Sequence, residues 1–383
     1  MRFRDLLLSS VAVLSILFSP VVSHADNETF CQSILQSQKK LEDFAQVKIT
    51  NFNVKNLFEE GKFKKKESEL IGVANGILRQ LPHIAVLEEI DRDGPSLKNF
   101  AEKYLMGLYH YQVAPSPDPR GIAVAFLVRK DFPVDFTIVS HREEMWHDPI
   151  ENKDEPLFQR DFPLMAIYPK GEVNLEKAPL LGIFGVHFKS KRDREGDPES
   201  RTIRRAEAER ARDVFRRYIA KWGPNTPLMI SGDFNGVVDS ENEFTEFREL
   251  EVDNSMAAQK YGENGSLLRG THLYWPRGGN LEVHELDYIF INKNFTKYLL
   301  GGVVDRHKLS RTDLNYTQLK RNIRKFPSDH FSVSILLSMP EVIATYRGIP
   351  MPSAPEPVAP APTTPTEPAP TAEPTEAPDH RAE

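Results

Sequence analysis

Six apolar segments of the sequence end or begin with a carboxylate, carboxamide or imidazole side chain. The residues concerned are Asn53, Glu88, Glu89, His187, Asp233, Asn235, Asp287, Asp329 and His330. One such placement is typical of an ordinary turn, because Asp and Asn bond their own backbone in loops. Six placements favour another interpretation, since active sites are commonly built where several loops meet at one edge of a scaffold. The pattern therefore predicts one site assembled from distant parts of the chain.

The residue types at these positions predict a hard-metal site and phosphoester chemistry. Carboxylate and carboxamide oxygens are the preferred ligands of Mg²⁺, Mn²⁺ and Ca²⁺. Cys31 is the only cysteine, which excludes an internal disulfide and a cysteine-based zinc site. Histidines such as His187 and His330 can transfer protons near neutral pH. With a divalent cation they would stabilise the charge that develops when water attacks a phosphoester.

Eight apolar runs predict the strands that position these residues. They cover residues 47–54, 83–90, 121–128, 164–169, 180–188, 227–234, 286–292 and 331–337. Helices are predicted over 68–81, ended by Pro82, and over 198–222, with Asp197 as the expected N-cap. Residues 139–163 are expected to form an inserted loop region. Strands mixed with helices indicate a layered α/β architecture.

Both ends of the chain differ in composition from the body. Residues 1–25 combine two early arginines, a mostly apolar run and a small-residue site ending at Ala25, which is typical of a secretory signal peptide. A membrane anchor is the alternative, but the apolar run is near the lower length limit for a span and contains Pro20. We expect cleavage after Ala25, no stable membrane anchor afterwards, and a periplasmic or secreted protein. Residues 341–383, rich in Pro, Ala, Thr and Glu, predict a disordered tail, and residues 26–340 form one large domain.

The charge of the chain restricts how it could bind a polyanion. The formal net charge is −6, and the acidic tail supplies most of it, so the body is close to neutral. Such a body is not expected to attract nucleic acid through a general positive field. Contacts with phosphates would have to come from local basic clusters, such as residues 61–66 (GKFKKK) and residues 189–194 (KSKRDR). A solvated basic loop is the alternative interpretation of either cluster.

Six short motifs resemble those of the endonuclease/exonuclease/phosphatase superfamily, the metal-dependent phosphoesterases related to pancreatic deoxyribonuclease. The motifs are TNFNVKNLF, AVLEEI, GVHFKSK, ISGDFN, LDYIFI and PSDHFSV, in the order of the superfamily, and they span about residues 47–337. Each motif alone is weak, whereas ISGDFN and PSDHFSV together are specific. The resemblance implies an α/β fold, a four-layer sandwich of two packed mixed β-sheets flanked by helices.

The resemblance also implies a metal centre. Glu89 resembles the metal-binding glutamate, and Glu88 stands where relatives often have glutamine, which leaves a site role and a supporting role open. Asn53 resembles the first-strand asparagine that supports the metal or its water. Asp329 looks like a carboxylate that binds the metal directly or through a neighbour. The implied ion is Mg²⁺, with Mn²⁺ or Ca²⁺ as alternatives.

The other motif residues resemble the catalytic groups of these enzymes. Asp233 and Asn235 look like the pair that aligns the nucleophile and binds a phosphate oxygen. His330 looks like the histidine that activates water or contacts the scissile phosphate, with Asp287 orienting its ring. His187 is similar to the second catalytic histidine of deoxyribonuclease-like members.

Among the activities of this superfamily the residues favour a nuclease. Lys189 begins the basic stretch after His187, where a phosphate backbone could bind, and Arg120 precedes a strand where relatives often carry a phosphate-contacting residue. The arginines of the 198–222 helix, Arg204 among them, are expected on its outer face. We expect an exported, monomeric hydrolase, a phosphodiesterase that acts as an endonuclease on DNA or RNA. A sphingomyelinase-like or inositol-phosphate phosphatase-like enzyme is the alternative, and a catalytically inactive binding protein is a weaker one.

Overall fold

The computed structural model describes residues 24–257, 269–276, 279–305 and 326–349. Most of the predicted signal peptide and of the predicted tail therefore lies outside the described residues. The described helices are α1 (His24–Leu35), α2 (Glu67–Gln80), α3 (Pro95–Asn99), α4 (Arg201–Trp222) and α5 (Met339–Tyr346). None of these described helices has the length and apolar composition that crossing a membrane would require.

The strands of the described chain follow in order along the sequence. They are β1 (Gln46–Leu57), β2 (Ile84–Asp91), β3 (Tyr109–Val113), β4 (Ile122–Arg129), β5 (Val134–Val139), β6 (Met145–Asp148), β7 (Lys153–Pro156), β8 (Leu164–Pro169), β9 (Leu181–His187), β10 (Leu228–Asp233), β11 (Val252–Asn254), β12 (His272–Tyr274), β13 (Glu282–His284), β14 (Asp287–Asn292), β15 (Leu299–Asp305) and β16 (Ser332–Ser338). All eight apolar runs of the sequence form strands, as predicted. The expected loop region 139–163 is a partial error, because it contains the hairpin of β6 and β7.

Two six-stranded mixed sheets form the centre of the molecule. Sheet 1 has the strand order β15-β16-β1-β2-β4-β3, and sheet 2 has the order β11-β14-β10-β9-β8-β5. Each sheet contains one parallel pair, β1 with β2 and β9 with β10, among antiparallel neighbours. This arrangement lets the ends of distant strands meet at one edge of each sheet.

Period-two alternation along the strands sorts apolar side chains into layers. In β1, Ile49 packs between the two sheets, whereas Phe52 packs on the other face of sheet 1, against α2. In β9, Ile183 packs between the sheets, and Phe184 packs on the other face of sheet 2, against α4. The order of layers is helix, sheet, sheet, helix. This confirms the predicted four-layer α/β sandwich.

Glycines allow close backbone approach beside the edge where the predicted site residues lie. A Cβ atom on Gly232, which has φ +155°, would lie 2.0 Å from the carbonyl oxygen of Val186 on the neighbouring strand. A Cβ atom on Gly185 would lie 2.6 Å from Cγ1 of Val124 in the opposite sheet. Both positions therefore require glycine for the strands to pack as they do.

The two long predicted helices are present, with a difference at the start of the second. The predicted N-cap was wrong: the N-cap of this helix is Ser200, although Asp197 Oδ1, from before the helix, accepts the Thr202 amide at 2.8 Å. Residues 198–200 nevertheless form a 3₁₀ turn in which Glu199 and Ser200 are left-handed, so α4 begins at Arg201. The expectation for Arg204 was wrong: its side chain is fully buried and donates to Glu243 at 3.2 Å.

Helix α5 extends the packed body. The predicted boundary between body and tail, at residues 340 and 341, falls inside this helix. Val342 and Ile343 are buried and belong to the same apolar cluster as the residues that pack between the two sheets. The residues that follow from 350 onward lie outside the described part of the chain.

Candidate active site

Strand direction brings the predicted site residues to one edge of the sandwich. β1 and β2 are parallel and end there in sheet 1, as do β9 and β10 in sheet 2. β14 and β16 run antiparallel to their neighbours and therefore begin at the same edge. The register pairs Asp233 with His187 on one side and with Asp287 on the other, and His330 lies two residues before the start of β16. The structure thus places residues from six strands around one point.

His330 is held by a buried carboxylate. Its Nδ1 lies 2.8 Å from Oδ2 of Asp287, and its Nε2 lies 3.9 Å from Oδ2 of Asp233. One ligand atom from each of these three side chains lies within 4.8 Å of the other two. Burial alone would disfavour the charged ring, but the carboxylates of Asp287 and Asp233 outweigh it and raise the pKa of His330 to about 10. The imidazole is therefore a cation at neutral pH.

Asp233 is the most densely hydrogen-bonded carboxylate at this edge. It accepts Asn53 Nδ2 at 3.0 Å, the Asn235 amide at 2.7 Å and Asn235 Nδ2 at 3.1 Å. Asn235 has left-handed backbone (φ 51°) and closes a turn on the Asp233 side chain. The ISGDFN motif therefore forms an ordinary Asp turn and also contributes to the site. Burial raises the pKa of Asp233, and the charge of His330 opposes that effect. A carboxylate of raised pKa is suited to accept a proton.

His187 pairs with Asp233 in register, on the side opposite to Asp287. Its Nε2 lies 3.8 Å from Asp233 Oδ2. Burial lowers the pKa of His187 well below its usual range, and the charges of Arg160 and Arg120 lower it further. The two site histidines therefore differ in charge, with His187 neutral and His330 cationic.

Glu88 and Glu89, at the end of β2, differ in burial. Alternation places Ile84, Val86 and Glu88 on the inner face of sheet 1, and Glu88 pairs in register with Asn53. Its side chain is fully buried, and neither carboxylate oxygen has a hydrogen-bond partner in the part of the chain that the structure describes. Burial raises the pKa of Glu88 well above its usual range, and the charges of Asp287 and Asp233 add to this. Glu89 is partly exposed in a β-bulge with φ 61°.

The unpaired oxygens at this edge are chemically suited to a divalent cation, and the group of described side chains whose ligand atoms lie within 4.8 Å of one another is Asp233, Asp287 and His330. Both Glu88 oxygens and Asp287 Oδ1 are buried without a partner among the described residues, a condition that usually indicates a missing ion or water. The donors are carboxylate oxygens, which suits a hard cation. Of the residues predicted as ligands, Glu89 lies at this edge, and its side chain has no hydrogen bond or ion pair among the described residues. Asn53 and Asp329 are engaged elsewhere, Asn53 by Asp233 and Asp329 by an ion pair of 2.7 Å with Lys55.

The predicted substrate-binding residues lie at the rim of the site. Arg120 is 28 % exposed and lies 3.5 Å from Asp118, and its charge acts on His187. Lys189 donates its ammonium to Gln159 Oε1 at 3.0 Å. Further along the basic stretch, Lys191 pairs with Glu241, and Arg194 pairs with the buried Asp148 at 2.6 Å. These two side chains have structural partners, which favours the structural interpretation of that part of the stretch.

Arg160 fixes the chain that follows His187. Its buried guanidinium lies 3.1 Å from Asp118 Oδ2 and donates to the carbonyl oxygen of Phe188 at 2.6 Å. Asp118 in turn also pairs with Arg120. Arg160 is therefore a structural ion-pair partner that joins β9 to the loop carrying Arg120.

Sequence reasoning missed two residues that contact His330. The ring of His272 lies 4.6 Å from the ring of His330, centroid to centroid, and no motif marks it. Ser328 accepts the His330 amide at 3.1 Å and donates to the Asn53 carbonyl at 2.8 Å. Ser328 lies within the PSDHFSV motif and could have been found there. Only the tertiary fold reveals His272.

Comparison with known proteins identifies the fold. Neither a protein-family model nor a curated protein sequence matches the chain. Among solved structures, the catalytic domain of human Nocturnin is 17% identical, covers 77% of this chain and 94% of its own, and has a TM-score of 0.51. An endonuclease/exonuclease/phosphatase family protein from Bacteroides thetaiotaomicron is 15% identical, covers 76% of this chain and 97% of its own, and has a TM-score of 0.50. The chain therefore has the fold of the endonuclease/exonuclease/phosphatase superfamily, as its motifs predicted.

Proposed function

We propose that this protein is a divalent-metal-dependent phosphodiesterase, and specifically an exported nuclease that hydrolyses DNA or RNA. One observation carries the proposal: the Asp233 carboxylate lies between Nε2 of His187 and Nε2 of His330, at 3.8 and 3.9 Å. A buried base next to a cationic imidazole, at an edge with unpaired carboxylate oxygens, fits attack of water on a phosphodiester.

Each side chain has a distinct role in this proposal. Asp233 accepts the proton of the attacking water, and its hydrogen bonds to Asn53 and Asn235 fix its orientation. His330 contacts a phosphate oxygen as a cation, because Asp287 holds its other nitrogen at 2.8 Å. Of the two roles that the resemblance left open for His330, the charged ring supports phosphate contact over water activation. His187 would supply a second, neutral imidazole beside the Asp233 carboxylate, with its Nε2 3.8 Å from Oδ2.

The cation would be held by Glu89 and by the unpaired oxygens of Glu88 and Asp287. When bound, it supplies Lewis-acid polarisation of a phosphoryl oxygen and neutralises developing charge. Mg²⁺ is the proposed ion, and Mn²⁺ or Ca²⁺ would suit the same oxygen donors.

Surface charge next to the site supports a nucleic-acid substrate. The segment 58–66 follows β1, and Lys62, Lys64 and Lys66 are exposed on it. Phe63 lies beside them, partly exposed, with Lys62 Nζ 5.7 Å from its ring centroid. Alternating cations and aromatic rings are typical of surfaces that bind single strands. The proposal also includes export of the protein and a monomeric state.

A panel of substrates tests the proposal. We expect one purified preparation to cleave plasmid and single-stranded DNA with Mg²⁺ or Mn²⁺, and to lose this activity in EDTA. RNA, sphingomyelin and inositol phosphates complete the panel. Hydrolysis of sphingomyelin or inositol phosphates with nucleic acids left intact would reject the nuclease in favour of the alternative enzymes, and hydrolysis of no phosphoester would reject the enzymatic function.

A further inference from the structure

Lys55 lies at the site and has no role in the mechanism above. It stands two residues after Asn53 near the end of β1, and its side chain is half exposed. Its Nζ lies 2.7 Å from Oδ2 of Asp329, the residue that precedes His330. The ammonium is therefore held against the residue next in sequence to His330, at the same edge of the sandwich.

The backbone of Lys55 is fixed from two sides. Its amide donates to Asn53 Oδ1 at 3.0 Å, and its carbonyl accepts the Lys65 ammonium at 2.6 Å. Lys55 and Asn56 both have left-handed backbone, with φ 52° and 57°, which is uncommon for residues other than glycine. Lys65 is 5 % exposed, and burying a lysine is costly unless its ammonium is satisfied. Strained backbone held by buried side chains is a feature of functional sites.

The Lys55 ammonium differs from the other basic groups around the site. Arg160 and Arg194 pair with carboxylates that are themselves almost completely buried. The partner of Lys55, Asp329, is 31 % exposed in its side chain. An ion pair so open to water adds little to stability, and its ammonium can take a second anion without being removed from Asp329.

We propose that Lys55 is a substrate-contacting residue whose ammonium binds a non-bridging oxygen of the phosphate undergoing hydrolysis. Asp329 and Lys65 are the residues that position it. This inference rests on the proposed phosphodiesterase function and extends it, because the protein then supplies a second cation to the reacting phosphate, in addition to His330 and the metal. Asp329 acts through Lys55 in this arrangement, which gives it a role other than the predicted metal ligation.

The salt dependence of binding tests the proposal. A short single-stranded DNA oligonucleotide is bound in EDTA, so that no hydrolysis occurs, to wild type and to Lys55→Met, Lys55→Arg and Lys177→Met. Lys177 is the matched control, an exposed lysine in the loop between β8 and β9, before the start of the strand that ends at His187. Each phosphate neutralised on a single strand contributes about −0.7 to the slope of log Kobs against log salt.

We expect Lys55→Met to weaken binding roughly fivefold or more at low salt and to reduce the slope by about 0.7. Lys55→Arg should retain the slope, and Lys177→Met should match wild type. An unchanged slope in folded Lys55→Met would overturn the role of Lys55 while leaving the proposed function intact. Failure of wild type to bind the oligonucleotide would overturn the inference, and failure of wild type to hydrolyse any phosphodiester with Mg²⁺ or Mn²⁺ is the separate result that rejects the proposed function.

Discussion

Asp287 sets the charge of the imidazole in the site. It is fully buried, it accepts from His330 Nδ1 at 2.8 Å, and its own amide is held by Thr271 Oγ1 at 3.0 Å. An asparagine at this position would keep the shape and remove the charge. The ring of His330 would then lose the partner that contributes most to its raised pKa.

Asp287→Asn is therefore expected to lower kcat by about 100-fold or more, because a positioned acid–base or charge-bearing group typically contributes that much. Steady-state kinetics with a phosphodiester substrate measures the effect, and the melting temperature shows whether the variant is folded. Asp154→Asn is the control, since Asp154 forms an exposed pair of 3.0 Å with His147. Equal turnover of Asp287→Asn and wild type would contradict the assigned role.

Glu88 provides the most direct test of the proposed metal site. Its carboxylate is fully buried without a hydrogen-bond partner among the described residues, and a buried charge is costly unless it is paired. In the metal-free protein the raised pKa of Glu88 opposes folding at pH values above the usual carboxyl pKa. A bound cation would convert the same group into a stabilising one.

We expect Glu88→Gln to raise the melting temperature in EDTA and to reduce the increase that Mn²⁺ produces. A ligand that binds only the folded state stabilises it in proportion to the logarithm of its concentration over Kd, and the variant should have a larger Kd for the metal. Thermal denaturation over a series of Mn²⁺ concentrations measures both effects. An equal Mn²⁺-induced shift in wild type and variant would remove Glu88 from the metal site.

Most functional side chains could be predicted from the sequence because they stand at strand ends within short motifs. His187, Asp233, Asp287 and His330 are the examples. The first three are neighbours in register in sheet 2, and His330 contacts Asp287 from outside that register. Glu88 could have been placed by alternation, since it follows Ile84 and Val86 on the inner face of sheet 1. His272 could not, because its contact with His330 depends on tertiary packing.

At the scale of secondary-structure elements, helix α4 supports the loop that follows His187. Glu207 on this helix is buried, and its Oε2 accepts the Lys189 amide at 2.6 Å. Burial raises the pKa of Glu207 to about 7. The hydrogen bond from the Lys189 amide and the charge of Arg160 lower this pKa, but burial has the larger effect. The folded protein therefore keeps this proton up to about pH 7, whereas the unfolded chain releases it near 4.5. The free energy of unfolding should fall as pH rises through this window.

Glu207→Gln keeps an acceptor for the Lys189 amide and cannot ionise. We expect it to raise the melting temperature by roughly 2 °C or more at pH 8, with a difference that diminishes as the pH falls toward 4.5. Thermal denaturation at a series of pH values provides the measurement. A difference that grows toward acid pH would contradict the raised pKa.

Central strands were easier to predict than edge strands. β4 and β10 are buried along their whole length and appear in the sequence as continuous apolar runs. β3, β5 and β15 lie at sheet edges with mixed burial, and their sequences give no comparable run. Arg204 was misplaced for a related reason, because an arginine on a helix suggests exposure unless its partner, here Glu243, is known.

At the scale of the whole molecule, the sandwich brings together residues that are far apart in the chain. Asn53 and Asp233 bond across the two sheets at 3.0 Å, and Ser231 Oγ donates to Asn51 Oδ1 at 3.3 Å in the same space. The site is therefore a product of sheet packing and not of one local motif. Loss of activity in any site variant must accordingly be separated from loss of the fold.

Metal-dependent hydrolysis of a phosphodiester by wild type and by His330→Ala tests the central claim most directly. His147→Ala is the matched control, because His147 is an exposed histidine with a carboxylate partner. We predict hydrolysis by wild type with Mg²⁺ or Mn²⁺, none in EDTA, a decrease of about 100-fold or more in folded His330→Ala, and no change in His147→Ala. Hydrolysis that persists in EDTA, or a folded His330→Ala variant as active as wild type, would contradict the account.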